Sequence, residues 1–528
     1  MGHTSITLAL ILLGLACLAV DLSGRQRLGE TTRTALLAIA LFLAFIGHTR
    51  IVERSPDFDP PYTPQLTMPT VHTHEYLHYF LATKYFAEVA HDDLYEAIVI
   101  ADFEGDPNGF IATNLFRNLR TNTVDRIRGD VITEGAVAKR TFSPERWETF
   151  VSDVGLLRGA APSNKWWHES GILRDHGYNG TPLTTWLLGG LSNQPFVSSL
   201  YFIETMRFVD LFLIAGIIAL AAWRFGAEAA LIFGTLFFAN PLNDFGFVGG
   251  SYLRYNFVLA LIFAFFALES GRLKTAGAWL AVAGHFRIFP GLFAVGLLLH
   301  DAMRPSPEAR RQAFHDHTPL YASFAATAVL LATISATAPA PSGQNVWSVF
   351  LNRITTHATG YGVNMLGTTA LYSWSTDHSE EAVREATKRA APLQWEASLE
   401  ATVERRRPWP LLTSLAIVAA SAWVARRLAW RHALLLGFPL MFAAFYLSHY
   451  YYLGLGMLAL VFRRETPVLL WLVAGYGVLA LLAVPNAFSD GLLRFIAVGA
   501  CLLAMLLGAG WLATFAEPEV PDDAGGTP

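Results

Sequence analysis

What most constrains this chain is its series of apolar runs, many of them long enough to cross a bilayer. Of 528 residues, 53% are hydrophobic and only 15% charged, against about 25% charged in a soluble domain. Backbone groups in hydrocarbon must find their hydrogen bonds inside each segment, so such runs fold as helices. The expected fold class is an all-α polytopic membrane protein. A formal net charge of -4 and the lack of any Lys/Arg-rich tract give no footprint for nucleic acid. Cys17 and Cys501 both lie in apolar runs, which argues against a disulfide framework.

Residues 4–22 and 34–47 read as two opening spans. The first residues lack the basic region of a signal peptide, so the first run is kept as a helix. Arg25, Arg27 and Arg33 in the connector place it in the cytoplasm and residues 51–181 outside. Further span candidates are 204–222, 227–240, 254–270, 274–285, 288–302, 318–340, 409–427, 432–446, 448–462, 466–484 and 491–514. Residues 182–200 read as a re-entrant or interfacial segment, and 379–407 as an amphipathic helix. The arginines at 304, 310 and 311, at 426, 427 and 431, and at 463 and 464 all fall inside with about 13 spans. The expected organisation is two N-terminal helices (1–50), an outer catalytic loop and cap (51–181), a bundle (182–340), a second outer loop (341–408), C-terminal helices (409–516) and a disordered tail (517–528). The cap reads as short helices joined by turns, with Trp147, Trp166 and Trp167 marking it as folded.

Residues 71–96 open the outer segment. Helical spacing puts Glu75, His78 and Tyr79 on one face and Tyr76, Leu77, Phe80 and Leu81 on the other. A carboxylate and an imidazole are thus expected at the water–membrane boundary on an amphipathic helix, with His74 beside them. Three later polar clusters reach the same face. One runs from Asn240 through Asp244, Gly250 and Arg254 to Asn256. Another is His285-Phe286-Arg287-Ile288-Phe289-Pro290, and the last is Ser448-His449-Tyr450-Tyr451-Tyr452. Ionisable groups at that depth are costly and mark function or pairing. Carboxylate, arginines and histidines together suit an anionic lipid headgroup and a hydroxyl that must lose its proton. Plainer readings stand beside this one. Arg254 could snorkel, Arg287 could be a structural counter-ion, and His449 could sit in an aromatic belt. Glu75 could pair with Lys84 or a cap arginine. His72, His74 and His78 are taken as too loosely spaced for a ligand set and as forming no H-E-x-x-H pattern, so no cofactor is expected, with a divalent metal kept as the alternative. Asn179-Gly180-Thr181 matches a glycosylation sequon, followed by Pro182. No phosphate-binding loop, dinucleotide fingerprint or nucleophile elbow occurs.

Taken in order, these blocks resemble the GT-C superfamily of membrane glycosyltransferases, closest to the polyprenyl-phosphate-mannose-dependent mannosyltransferases of glycosyltransferase family 87. Glu75, Tyr76, Tyr79, Leu94 and Tyr95 are similar to that family's acidic residue, spaced tyrosines and Leu-Tyr pair. Tyr178, Pro182 and Leu183 resemble its aromatic–Pro-Leu block, and Gly250, Ser251 and Asn256 its turn between spans. Arg287-Ile288-Phe289-Pro290 and His449-Tyr450 resemble its basic block and late His-Tyr pair. The family's acid is commonly Asp and its base commonly Lys, and here two spans precede the loop.

The resemblance implies an inverting transfer of a mannose-like sugar from a polyprenyl-phosphate donor to a hydroxyl of a glycan, lipid or protein. Glu75, with His74 or His78, would serve as base. Arg287 and Arg254, helped by His285 or His449, would hold the donor phosphate. Tyr79, Tyr178, Asp244, Asn256 and Tyr450 would line the pocket. The enzyme would be a multi-pass protein of the plasma or bacterial inner membrane, working on the non-cytoplasmic side. A lipid or lipid-linked-sugar transporter or flippase is the alternative, and would carry paired broken helices in two related halves. The pair 274–285 and 288–302 finds no such partner. A non-catalytic GT-C-like scaffold is a further alternative.

Overall fold

The computed structural model describes residues 29–49, 52–54, 64–66, 71–107, 115–126, 135–161, 172–243, 249–341, 343–357, 362–375, 377, 379, 382, 392–483 and 490–515. The expected span 4–22, Trp166, Trp167, Asp244 and the tail lie outside them. Among the described residues, five helices are long and apolar enough to cross a membrane: Glu30–Thr49, Leu200–Phe225, Pro307–Ser335, Pro408–Ala425 and Gly491–Ala513. Shorter apolar helices are Ala227–Phe238, Asn256–Glu269, Phe289–Ala302 and Thr466–Leu482. The molecule is mostly helical, as a helical membrane protein should be.

Several expected spans take another form. The run expected at 318–340 starts at Pro307, because the Ser306 hydroxyl accepts from Ala309 N–H and Pro307 suits the first helical turn. The run expected at 432–446 is a 3-10 turn, Trp430–Leu436, followed by a short helix, Gly437–Ala444. The run at 448–462 is likewise 3-10 over His449–Met457 before Leu458–Val461. Irregular backbone of this kind is tolerated in an apolar layer where protein surrounds it, and these residues are largely buried. Close packing is part of the reason, since a Cβ on Gly456 would lie 2.8 Å from Phe237 Cα. Pro182–Ser192 spans 11 residues, too few to cross.

Within this mostly helical fold, three short antiparallel pairs occur among the described residues: Val52–Arg54 with Pro64–Leu66, Leu115–Asn118 with Thr123–Arg126, and Met365–Leu366 with Leu447–Ser448. In the cap hairpin the Asn118 side chain accepts from the backbone of Arg120 and Thr121, and Asn122 takes φ +57. Asn tolerates that left-handed turn, which closes the hairpin where short helices were expected. The second long polar segment forms Val346–His357 and Pro392–Arg405, the latter inside the expected 379–407 pattern.

Among the described residues two large apolar cores stand out, beside a small cluster of Trp395, Leu399 and Leu492. One joins the apolar helices from Ala40 to Ala513. The other is the cap, where Tyr76, Leu77, Phe80 and Leu81 pack with Phe150, Val154 and Leu157 of Pro144–Ala160. The helix after His72 is therefore no amphipathic surface element. Its polar side is covered too, and Glu75, His78 and Lys84 are all buried. Lys84 Nζ bonds Asp153 Oδ2 at 2.6 Å, and the Tyr85 hydroxyl donates to the same oxygen at 2.7 Å.

A buried pair is costly to break from one side, because the survivor loses both water and its partner. Lys84→Met should lower stability by about 3–5 kcal/mol, and Lys84→Met with Asp153→Leu should regain most of it. Unfolding of the detergent-solubilised variants measures both.

Candidate functional site

The site grows from the start of the cap helix. The His72 imidazole accepts Glu75 N–H at 3.2 Å, and His72 N–H donates to Gly250 O at 3.0 Å. The helix start is thereby tied to the turn that precedes Arg254. An α-turn, Thr73–Tyr76, passes into a π-turn, Leu77–Leu81, and returns to α at Ala82–Lys84. π-turns are rare and concentrate at functional sites. Here the Thr83 hydroxyl takes up the Tyr79 carbonyl at 2.6 Å. Gly189 allows Pro182–Ser192 to approach, since a Cβ there would lie 2.9 Å from Thr83 O. The expected single face of Glu75, His78 and Tyr79 is split. Glu75 and Tyr79 turn to two arginines, whereas His78 turns with His74 to Asp175. The two i, i+4 rows lie side by side on the helix and diverge to different neighbours.

On the arginine side, Arg254 Nη1 donates to Glu75 Oε2 at 2.8 Å and to the Tyr79 hydroxyl at 3.3 Å. Leu253 takes φ +55, a strained conformation for a branched side chain, and Arg254 N–H donates to Asp210 Oδ2 at 2.8 Å. Together these fix the direction in which Arg254 points. The Tyr79 hydroxyl donates on to Asn179 Oδ1 at 3.0 Å, which engages the sequon asparagine within the site. Burial pushes the Tyr79 phenol up to about 12 against the opposing pull of Arg287 and Arg254, so it stays protonated. The guanidinium carbon of Arg287 lies 4.8 Å from the Tyr79 ring and 5.8 Å from that of Tyr451. That of Arg254 lies 4.8 Å from Tyr450 and 5.2 Å from Tyr451. Thr181 and Thr184 hydroxyls donate to the carbonyls of His285 and Phe286, which seats the turn carrying Arg287.

All four polar clusters thus meet. The arginines do not snorkel: Arg254 is 2% exposed and Arg287 7%. Glu75 pairs with Arg254, neither with Lys84 nor with a cap arginine. Among the described residues, Arg254 Nε and Nη2 and Arg287 Nε and Nη1 are buried without a hydrogen-bond partner. Glu75 Oε1 accepts no hydrogen bond from them either.

The other expected residues are placed as follows. Tyr178 sits behind Tyr79, rings 5.5 Å apart, its hydroxyl 2.9 Å from Thr185 Oγ1. Asn256 Oδ1 accepts from Phe257 N–H at 2.7 Å at a helix start. Asp244 lies outside the described residues. His285 Nδ1 donates to Ala281 O at 2.8 Å, and its ring faces Trp347. His449 N–H donates to Asn364 O at 2.9 Å, and its ring packs on Phe495. Both residues contact neighbouring carbonyls and rings, and their neighbours Arg287 and Tyr450 lie at the site.

On the other side, His74 Nε2 lies 3.3 Å and His78 Nδ1 3.9 Å from Asp175 Oδ2. His78 Nε2 lies 2.7 Å from the Tyr95 hydroxyl. At His74, burial opposes the charged form, but the hydrogen bond and charge of Asp175 outweigh it and raise the imidazole. Burial likewise pushes the Asp175 carboxyl up, and the hydrogen bond from His74 with the nearby imidazoles carries it well below the usual range. Burial holds His78 well below an ordinary imidazole and lowers His72 to about 4, so the helix cap is neutral. Sequence reasoning missed Asp175, which stands a hundred residues downstream. It also took the histidines as loosely spaced, although residues 74–78 read His-Glu-Tyr-Leu-His. H-E-x-x-H on a helix puts two imidazoles one turn apart on one face.

The arginines should respond in opposite ways to removal. Arg254→Leu strands the Glu75 carboxylate and should cost about 3–5 kcal/mol, most of it restored by adding Glu75→Leu. Arg287→Met removes a buried charge without a carboxylate partner, so it should leave ligand-free stability unchanged or raise it. Unfolding of the three variants decides between these responses.

Compared with family models, curated proteins and solved structures, the chain matches none.

Proposed function

We propose that this protein is an inverting glycosyltransferase that moves a mannose-like sugar from a polyprenyl-phosphate donor to an acceptor hydroxyl. The GT-C-like architecture, with about 13 spans and the active site on the non-cytoplasmic face, is part of the same reading. One observation carries it. Among the described residues, two buried guanidiniums carry four unpartnered nitrogens between them, and Glu75 is the one carboxylate paired with their side chains, Asp210 being bonded to the Arg254 backbone. A buried cation is stable only when an anion or a hydrogen-bond acceptor compensates it. A phosphate diester has the charge and the acceptor geometry that an arginine fork fits. The place fits as well, since the arginines lie against Tyr451 of the apolar helical core and Tyr79 of the cap core. A prenyl tail would run along the first core while the sugar and acceptor enter under the second.

Charge balance follows the reaction. Before transfer, the donor diester carries one negative charge and Glu75 another, against two guanidiniums. Glu75 Oε1 takes the acceptor proton as the acceptor oxygen attacks the anomeric carbon from the face opposite the phosphate. The sugar–phosphate bond breaks, and its electron pair leaves on the phosphate. Glu75 is then neutral and the phosphate monoester carries two charges, again against two guanidiniums. The negative charge thus migrates from the base to the leaving group while the summed charge of Glu75, the phosphate and the two guanidiniums is unchanged. Arg287 meets it there with donors already oriented, which is where electrostatic stabilisation acts most strongly. Tyr79, held protonated, donates a hydrogen bond and is no competing base.

Purified protein incubated with radiolabelled polyprenyl-phosphate sugars and a membrane extract should transfer label from one of them. Glu75→Gln should lower turnover by about 10²–10⁴-fold while donor binding persists. Normal turnover by a folded Glu75→Ala protein would sink the catalytic assignment.

A further inference from the structure

We propose that His74, His78 and Asp175 bind one first-row divalent transition-metal ion, of the zinc or manganese kind. Their donor atoms all lie within 4.8 Å of one another. The separations from Asp175 Oδ2, 3.3 Å to His74 and 3.9 Å to His78, are close to those of neighbouring ligands around a metal. Bonds of about 2.1 Å at tetrahedral angles put such ligands about 3.4 Å apart. Little movement is needed to close the set on an ion.

The chemistry selects the kind of metal. Two imidazoles and one carboxylate suit zinc, manganese or iron, whereas magnesium and calcium prefer oxygen ligands throughout. His78 presents Nδ1 to the site, so a ligating His78 must carry its proton on Nε2. That nitrogen meets the Tyr95 hydroxyl oxygen at 2.7 Å, the kind of outer partner that fixes a ligand's tautomer and ring angle.

The backbone on either side of Asp175 is held in place as well. Arg117 Nε donates to Arg174 O at 2.9 Å on one side of Asp175. Arg353 donates to His176 O on the other and, through Nη1, to Leu119 O at 2.9 Å. The site is closed behind and open in front. The His78 side chain is 4% exposed, those of His74 and Asp175 29% and 42%. An ion here would keep positions for water or for an oxygen of a ligand.

Helical H-E-x-x-H sequences are associated with zinc hydrolases in which the glutamate is the base for the metal-bound water. That role does not fit here, because Glu75 is turned to Arg254 on the neighbouring row. The proposed ion stands beside the Glu75–Arg254 pair, outside it, and its existence does not depend on the transferase reading. The competing account of the same residues is a bare His74–Asp175 ion pair.

The test uses full-length protein in detergent, stripped with a chelator and titrated with Co²⁺ and then Zn²⁺. Calorimetry and the visible absorption of Co²⁺ report binding without any turnover. The expected result is one ion per chain, with millimolar Mg²⁺ failing to compete. Asp175→Asn and His78→Gln should each weaken binding more than tenfold. Tyr95→Phe, which leaves all three ligands in place, should weaken it by roughly 10–100-fold. Unfolding curves of each variant separate loss of ligand from loss of fold. Absence of stoichiometric binding by the folded parent protein, or undiminished binding by a folded Asp175→Asn variant, would overturn the proposal.

Discussion

The structure turns on two guanidiniums buried where the apolar helical core meets the cap. A chain can keep Arg254 and Arg287 at 2% and 7% exposure only if its surroundings compensate them. Glu75 does so for Arg254, Tyr79 and Tyr451 offer ring faces to both, and Tyr450 offers one to Arg254. Much of the local architecture serves this arrangement. The strained Leu253, the Asp210 carboxylate on the Arg254 backbone and the π-turn between Leu77 and Leu81 all set directions at the seam. Thr181 and Thr184 do the same for the turn that carries Arg287.

The broad helical plan was legible because its signal is long and redundant. A run such as 491–514 is apolar over its whole length, and the helix Gly491–Ala513 follows it closely. Legibility failed where length and composition stop being informative. Residues 448–462 are apolar enough for a span, but glycines at 454 and 456 and contact with Phe237 favour tight 3-10 turns inside the bundle. The cap hairpin at 115–126 depends on one asparagine capping a turn and another in a left-handed conformation. Neither leaves a periodic trace.

At the site, individual residues were easier to find than their partners. Glu75, Arg254 and Arg287 stood out because each is ionisable and lies in a polar cluster between apolar runs. Their convergence depended on register and on basic connectors, which are long-range arguments of the right kind. Which of them pair could not be read, since Glu75 and Arg254 are separated by more than 170 positions. The split of the cap helix into two rows was hidden for another reason: positions 75, 78 and 79 share a face on a regular helix, and only tertiary neighbours show which row each joins. Asp175 had no local signal at all, whereas the His74–His78 spacing was in plain view.

If the arginine pair is built for a phosphate ester, affinity must depend on the phosphate and not on the prenyl chain alone. Equilibrium binding of a short-chain polyprenyl phosphate and of the matching polyprenol, to the parent protein and to Arg287→Met, tests this most directly. The account predicts that the parent protein prefers the phosphate by roughly 10²-fold or more, as two charge-assisted hydrogen bonds provide, and that Arg287→Met loses most of that preference. Equal affinity for phosphate and alcohol, or a preference unchanged in a folded Arg287→Met protein, would contradict it.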